Sequence, residues 1–262
     1  MAELQIRFED GAAYERMMGI WSRLVGQIFL DWLAPAPNLK WLEVGCGNGA
    51  FTELLAERCA PAEIEGIDPS EAQLAFARKR PGARLAKFRQ GDAMALPYPG
   101  PAFDAAVMAL VIFFVPTPAK GVAEMVRVVR PGGSVSAYAW DVPGGGLPMA
   151  PIQAEMRAMG LKPPLPPSFE VSRMDALRAV WAGAGLEQIE TREIVVSRTF
   201  ADFEDFWTTS LLGASLAQVV AAMPGKDAEE LRARVRAKLP TDPAGHITYS
   251  SRANAVKGRV PK

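Results

Sequence analysis

Residues 41–51 read WLEVGCGNGAF, an apolar run followed by three alternating glycines. The apolar run, 41–44, predicts a buried strand, and the segment FTELLAER at 51–58 predicts a helix. A glycine turn between a strand and a helix brings backbone N–H groups and a helix N-terminus against a small ligand. Glycine permits positive φ and leaves no Cβ between the backbone and that ligand. The stretch therefore predicts the ligand-binding turn of an α/β sheet.

Acidic residues near the ends of the first two predicted strands narrow the class of ligand. Glu43 lies two residues before the first glycine, where a carboxylate suits a cationic amino group and would repel a diphosphate. Asp68 ends the second predicted strand, where an acid can accept both hydroxyls of a ribose. The spacing E-x-G-x-G-x-G, followed by an acid one β-α-β unit later, resembles the class I S-adenosylmethionine (SAM) methyltransferases. A turn for NAD or FAD is the alternative, but Asn48 and Ala50 depart from the dinucleotide pattern G-x-G-x-x-G.

Composition bounds the class of protein. The chain has 262 residues, 49% hydrophobic and 22% charged, which suits a single α/β domain with a full core. Lys+Arg and Asp+Glu number 29 each, so we expect no nucleic-acid partner. Two cysteines and one histidine argue against a disulfide framework and a metal site. The N-terminus lacks a signal-peptide core and no run approaches transmembrane length, so we expect a cytoplasmic protein without membrane insertion. A homodimer is compatible with the sequence, which does not fix the oligomeric state.

Motifs further along extend the resemblance. The segment GDAMALP at 91–97 is followed by FDAAVMAL at 103–110, FFVPTP at 113–118 and EMVRVVRPGG at 124–133. With the glycine stretch and Asp68, these motifs resemble the ubiquinone/menaquinone-biosynthesis-type methyltransferases, type 11, over about residues 40–140. The resemblance implies a Rossmann-like, seven-stranded, mostly parallel sheet with an antiparallel C-terminal hairpin. We divide this one domain into four parts. Residues 1–38 are an N-terminal helical cap and 39–140 the SAM-binding core. Residues 141–172 are a substrate lid, and 173–262 are the C-terminal half of the sheet with its helices.

The resemblance also implies roles for individual residues. Asp92 and the backbone of Ala93 would bind the adenine, although Asp92 alone would be read as a turn-capping aspartate. Cys46 is expected to act through its backbone rather than as a thiolate. The expected cofactor-binding residues are Tyr14, Arg23, Glu43, Gly45, Cys46, Gly47, Asp68, Pro69, Gln73, Gly91, Asp92, Ala93, Leu110 and Val111.

Two segments outside the motifs are predicted to cover the site. Apolar residues recur at helical spacing over 13–33 and predict a helix that ends before Pro35 and can fold over the cofactor. Tyr14 and Arg23 on it are candidate partners for a carboxylate, with core packing and a surface charge as the respective alternatives. Residues 141–172, rich in Pro and Gly, leave the carboxyl edge of the fifth strand and are interpreted as the substrate lid, with packing against the first helix as the alternative.

Three expectations concern element boundaries later in the chain. Helical periodicity predicts one helix over 201–222. The run RPGG at 130–133 predicts a glycine-capped helix end before a fifth strand at 134–140. The last residues, VKGRVPK at 256–262, are interpreted as a basic tail.

The motifs predict methyl transfer without naming a catalytic residue. In-line displacement at a sulfonium depends chiefly on positioning, so an absent dyad does not argue against an enzyme. His246 is a candidate base, but a lone histidine at a strand start is more often structural. The loop after the fourth strand reads ALVIF at 109–113 and lacks the (Asp/Asn)-Pro-Pro-Tyr motif of DNA-base and glutamine methyltransferases. We therefore expect a small, largely apolar acceptor, methylated on O, C, N or S. An NAD(P)-dependent oxidoreductase and a non-catalytic SAM-binding module are the alternatives.

Overall fold

The computed structural model describes residues 15–262, which form a seven-stranded sheet flanked by helices. The strand order is β3-β2-β1-β4-β5-β7-β6. β1 to β5 are parallel, and β7 runs antiparallel to both β5 and β6. The predicted fold is therefore confirmed. The strands are β1 (Lys40–Val44), β2 (Glu63–Asp68), β3 (Ala86–Gln90), β4 (Phe103–Ala109), β5 (Val129–Trp140), β6 (Glu187–Phe200) and β7 (Ile247–Arg259).

Helices cover both faces of this sheet and connect its strands. None of the helices within residues 15–262 is long and apolar enough to cross a bilayer. The α-helices are α1 (Ile20–Leu33), α2 (Ala50–Cys59), α3 (Glu71–Ala77), α4 (Pro118–Val128), α5 (Ala150–Ala158), α6 (Met174–Gly183), α7 (Phe203–Ser210), α8 (Ala214–Ala221) and α9 (Gly225–Lys238). Short turns of π- or 3₁₀-helix lie at Glu15–Gly19, Pro81–Ala83, Ile112–Phe114 and Phe169–Ser172.

The centre of the sheet explains the continuous apolar runs of the sequence. β1 lies between β2 and β4, and both of its faces are covered, so its residues from Trp41 onward are buried. β4 is buried in the same way, as parallel central strands require. The strand order changes direction between β1 and β4, which opens a crevice at the carboxyl ends of these strands.

The N-terminal helix is a structural layer on the sheet. Trp21, Val25 and Phe29 recur every four residues on α1 and are buried. The rings of Phe29 and Tyr138 on β5 lie 4.7 Å apart between centroids, and Trp21 meets Trp140 edge to face. The helix predicted over 13–33 is π-helical over Glu15–Gly19 and α-helical from Ile20 to Leu33; residues 13 and 14 lie outside the described part of the chain.

Two boundary predictions were wrong. Residues 201–222 form two helices, α7 and α8, because Asp202 caps the first through the backbone N–H of Asp205 and the chain turns again before Gly213. Residues 130–133 do not cap a helix with glycine. The chain passes from α4 directly into β5 at Val129, and the positive φ of Gly132, 77°, lies in the irregular first part of that strand, where the register with β4 shifts.

The C-terminal segment is not a tail. Lys257 and Arg259 belong to β7, which lies between β5 and β6 and pairs with both along its length. Lys257 extends over the ring of Trp32, 4.6 Å from its centroid, and its ammonium lies 3.4 Å from Glu190. The basic composition of this segment did not indicate a strand. The aliphatic stems of such residues can pack on a sheet while their charged groups form ion pairs at its surface.

The segment from 141 to 172 is attached at both ends to β7. The guanidinium of Arg252 donates to Asp141 at 2.6 Å, and the side-chain amide of Asn254 donates to the carbonyl of Ser172 at 2.9 Å. Its helix α5 packs against α9, where Arg234 pairs with Glu155 at 2.9 Å. The segment is therefore a packed layer of the domain with fixed ends.

Candidate functional site

A cavity of about 780 Å³ opens at the carboxyl ends of β1, β2 and β4, where the strand order changes direction. The loops after β1, β2 and β3 supply polar lining residues. The loop after β4 supplies only apolar ones, and Leu165 and Pro167 from the 141–172 segment join it. The polar lining side chains on the first side are Glu43, Asn48, Asp68, Ser70, Gln73 and Asp92; the apolar wall consists of Leu110, Val111, Phe114, Val115, Pro116, Leu165 and Pro167.

The glycine turn uses its glycines in two different ways. Gly45 has φ 78°, and a Cβ there would lie 2.4 Å from Val111, so this glycine allows the β4 loop to pack on the turn. Gly47 has φ 50°, and a Cβ there would meet no heavy atom within 4 Å. Since Gly47 also lines the cavity, its missing side chain leaves room for a ligand to approach the backbone.

Asp68 holds the turn in shape. Its Oδ2 accepts a hydrogen bond from the backbone N–H of Gly47 at 2.9 Å, and its Oδ1 accepts one from Ser70 at 2.8 Å. Burial raises the pKa of Asp68, and these two backbone hydrogen bonds lower it again. A carboxylate offers about four lone-pair sites, so two backbone bonds leave acceptor capacity directed at the cavity.

Glu43 is a buried carboxyl group in the cavity wall. Its side chain is 1% exposed, and the Thr52 hydroxyl on α2 donates a hydrogen bond to its Oε2. Burial raises the pKa of Glu43 to about 8; the bond from Thr52 lowers it, and the nearby charge of Asp68 raises it. Glu43 is therefore largely protonated at neutral pH and would ionise when a cation binds beside it.

Arg80 attaches the turn to the neighbouring helices. Its Nε donates to the carbonyl of Asn48 at 2.7 Å, and its other guanidinium nitrogens pair with Glu53, at 2.9 Å, and with Glu15. The Asn48 side chain donates to Glu15 at 3.1 Å. This network fixes the turn from behind. Asn48 also lines the cavity, whereas Arg80, Glu53 and Glu15 lie outside the lining.

Most of the sequence-predicted residues lie together in this cavity. The lining includes Glu43, Gly45, Cys46, Gly47, Asp68, Pro69, Gln73, Gly91, Asp92, Ala93, Leu110 and Val111. The exposed Asp92 also caps its own turn, because its Oδ1 accepts from the N–H of Met94 at 2.8 Å. Burial raises the pKa of the Cys46 thiol well above its usual range, so its side chain stays protonated, while its N–H donates to Ile67 at 3.0 Å.

Two of the predicted residues that the structure describes do not join them. The Arg23 guanidinium lies at the surface, 2.9 Å from Glu57, and does not line the cavity, so its position gives no support to the predicted contact with a carboxylate. Helix geometry is the reason, because Arg23 faces solvent when Trp21 faces the sheet. His246 is about half exposed on the turn before β7, 3.0 Å from Asp242, and also lies outside the lining. Tyr14 lies outside the described residues.

The sequence did not identify several lining residues. Ser22 on α1, Tyr138 on β5 and the pair Leu165 and Pro167 reach the cavity through tertiary packing that no local motif encodes. The one sequence signal for Ser22 was that it is a small polar residue on the apolar face of α1. Leu110 also has an unusual backbone, φ 60°, directly after β4, where its N–H donates to Tyr138 at 2.8 Å. A non-glycine residue in this region carries strain that favours a functional position.

Residues 42–137 match the family described as "Methyltransferase domain". This stretch is a class I methyltransferase domain of type 11. The family resemblance seen in the motifs is thereby confirmed, and the match covers the strands β1 to β4 and most of β5, with the turns that line the cavity.

Relatives with known names match the same part of the chain. The demethylmenaquinone methyltransferase of Deinococcus radiodurans is 38% identical over 117 residues, 44% of this chain and 48% of that protein. The fatty-acid O-methyltransferase of Mycolicibacterium smegmatis is 38% identical over 100 residues, 38% of this chain and 36% of that protein. The chain thus spans about half the length or less of these relatives.

Solved structures share the fold over nearly the whole chain. The phosphoethanolamine N-methyltransferase 2 of Haemonchus contortus, in complex with S-adenosyl-L-methionine, aligns with a TM-score of 0.57 and 18% identity. The alignment covers 95% of this chain and 56% of that one. At this identity the likeness concerns the fold of the methyltransferase domain.

Replacing Glu43 with Gln should remove a pH-dependent cost from the folded state. Between the ordinary carboxyl pKa of 4.5 and the folded value of about 8, native Glu43 keeps a proton that the unfolded chain has lost, so stability falls as pH rises. Glu43→Gln should come close to the wild type in unfolding free energy near pH 5 and exceed it at pH 8.5, by up to about 4 kcal/mol.

Urea denaturation at pH 5, 7 and 8.5 measures this difference. The surface variant Glu57→Gln, whose carboxylate pairs with Arg23 in solvent, is the control and should show little change at any pH. A Glu43→Gln effect of the same size at all three pH values would contradict the buried, protonated carboxyl.

Proposed function

We propose that this chain is a SAM-dependent methyltransferase that methylates a small, largely apolar acceptor by in-line displacement at the sulfonium. The observation that carries the proposal is the pairing of Glu43 and Asp68 on the polar side of one cavity, beside a glycine turn that is open at Gly47. An ammonium group and a ribose diol, as in SAM, complement these two carboxyl groups. A dinucleotide has no ammonium group to pair with Glu43, so this buried carboxyl would stay without a cationic partner.

The polar side of the cavity fits the parts of this cofactor in order. Glu43 would ionise against the amino group, and Asp68 would accept the ribose hydroxyls with the lone pairs that Gly47 and Ser70 leave unused. Asp92 and the backbone of Ala93 would bind the adenine. Contacts along the rest of the cofactor are assigned to Gly45, Cys46, Gly47, Pro69, Gln73, Gly91, Leu110 and Val111, all in the lining.

The bound cofactor supplies the electrophilic methyl group, and the protein supplies position. The strained Leu110 and the neighbouring Val111 would shape the wall beside the sulfonium, where holding the acceptor in line accounts for much of the acceleration. No histidine or lysine lines the cavity within residues 15–262, and positioning alone suffices for an acceptor that is already nucleophilic.

The segment 141–172 is proposed to be the lid over the acceptor. The N–H and hydroxyl of Ser168 donate to the carbonyls of Phe113 and Val115 at 3.0 and 2.8 Å, which holds Leu165 and Pro167 against the β4 loop. This wall presents apolar side chains only. The acidic residues on the opposite side of the cavity, Glu43, Asp68 and Asp92, favour an uncharged acceptor over an anion. The names of two relatives concern molecules with large apolar bodies, demethylmenaquinone and fatty acids, of which the fatty acid also carries a carboxylate.

A ligand titration tests the cofactor. SAM and S-adenosylhomocysteine should each raise the melting temperature and bind in calorimetry, whereas NAD and NADP should do neither, because they have no ammonium group to pair with Glu43. Stabilisation by a nicotinamide dinucleotide alone would overturn the proposal in favour of an oxidoreductase. Binding of SAM without methyl transfer to any acceptor in a broad screen would leave a non-catalytic module instead.

Gly47→Ala should separate ligand binding from folding. The added methyl group enters the space that a ligand would occupy, so affinity for S-adenosylhomocysteine should fall at least about tenfold by calorimetry. Gly185→Ala is the matched control: Gly185 also has positive φ, 76°, and open space around a Cβ, but it lies beyond α6 and outside the cavity lining. Equal affinities for the two variants would show that the turn faces away from the ligand.

A pair of probes tests the acceptor class. With saturating S-adenosylhomocysteine, neutral 2-naphthol should bind at least about tenfold more tightly than 2-naphthoate, because the carboxylate gains no partner on the apolar wall and meets the acids opposite. Leu165→Asp should abolish this preference for an apolar probe without changing affinity for S-adenosylhomocysteine.

Val195→Asp controls for the added charge, since Val195 is exposed on β6 and lies outside the lining. Stronger binding of 2-naphthoate than of 2-naphthol to the wild type would refute an uncharged acceptor.

A further inference from the structure

The hydroxyl of Ser22 is buried at the cavity wall and has no hydrogen-bond partner within residues 15–262. A serine inside a helix commonly bonds to the carbonyl four residues earlier, yet Ser22 does not make that bond. A buried hydroxyl left unpaired destabilises a fold, so each such group in a native protein calls for an explanation. A ligand in the cavity would give this hydroxyl a partner.

The surroundings of Ser22 place it on the same side of the cavity as Glu43. One turn along α1, a Cβ at Gly26 would lie 3.3 Å from both Phe51 and the hydroxyl of Tyr138, and both of these residues line the cavity. Phe51 immediately precedes Thr52, the residue whose hydroxyl bonds to Glu43. α1 therefore presents Ser22 toward the wall that Glu43 and the start of α2 form.

The charges on that wall define what Ser22 would bind. An amino acid carries its ammonium and its carboxylate on one carbon, so an ammonium beside Glu43 brings a carboxylate within a few ångströms of it. Glu43 and Asp68 can only repel that carboxylate, while a hydroxyl can donate to it. Arg23, the next residue along the helix, is turned toward Glu57 at the surface.

We propose that Ser22 is a positioning residue that donates a hydrogen bond to the carboxylate at the amino-acid end of the cofactor. The assignment rests on the proposed function. It gives α1, otherwise a structural layer on the sheet, a direct contact with the ligand, and it accounts for a buried hydroxyl that the fold itself does not use.

Two nucleosides that differ only at this end test the proposal. S-adenosylhomocysteine has the amino-acid group, and 5′-methylthioadenosine has a methyl group in its place. Ser22→Ala should weaken S-adenosylhomocysteine about tenfold and change 5′-methylthioadenosine by less than about twofold in calorimetry. Ser22→Thr, which keeps the hydroxyl, should recover most of the loss.

Stability separates this role from a structural one. Since the Ser22 hydroxyl bonds to nothing in the described protein, Ser22→Ala should unfold at the same urea concentration as the wild type or a higher one. Ser251→Ala is the matched control, because Ser251 on β7 also has a buried, unpartnered hydroxyl but lies outside the cavity lining. It should leave both nucleoside affinities unchanged.

The remaining outcomes distinguish failure of the role of Ser22 from failure of the proposed function. An unchanged affinity of Ser22→Ala for S-adenosylhomocysteine, or an equal loss for both nucleosides, would overturn the role of Ser22 and leave the proposed function intact. A wild type that binds neither SAM nor S-adenosylhomocysteine would overturn both.

Discussion

The carboxylate of Asp68 joins the ends of two strands through hydrogen bonds to the backbone of Gly47 and Ser70. The first bond fixes the turn after β1, and the second fixes the start of α3 after β2. Because β1 and β2 are adjacent parallel strands, one acid sets the distance between the two loops that form the polar side of the cavity. A side chain that already organises both loops needs no rearrangement to meet a ligand between them.

The cavity wall contains a buried carboxyl group that stays uncharged in the free protein. Glu43 is buried, with its pKa raised to about 8 mainly by desolvation, and Asp68 nearby raises it further. Such a carboxyl costs stability in its ionised form, and the free protein avoids the cost by keeping the proton. The site is thereby prepared for a cation without holding one. The unpartnered hydroxyl of Ser22 belongs to the same pattern, since both groups are better satisfied with a ligand than without one.

The sequence predicted the core of the domain well because its signals are local. The strand predicted over 41–44 is β1, which begins one residue earlier at Lys40. The residues of the glycine turn, Asp68 and the 91–93 segment were predicted to lie together because parallel strands end at one edge of the sheet, and they line one cavity. What the sequence left open depends on distant packing. Whether Arg23 is a candidate ligand contact or a surface charge depends on how α1 is rotated, and Leu165 lies at the cavity where Ser168 bonds to the β4 loop. The basic composition of residues 256–262 did not indicate that β7 continues into them, because its partner strands β5 and β6 lie far away in the chain.

The position of β7 has a consequence for how the sheet is completed during synthesis. β7 follows β5 and β6 in the chain, yet it lies between them in the sheet, so neither of those strands has this neighbour until β7 has been synthesised. Until then β5 carries an open edge of backbone donors and acceptors, and β6 is unpaired, which is the condition that invites pairing with other chains. A nascent chain therefore depends on the rapid docking of β7 between β5 and β6, and a truncation that removes β7 would leave that edge permanently exposed.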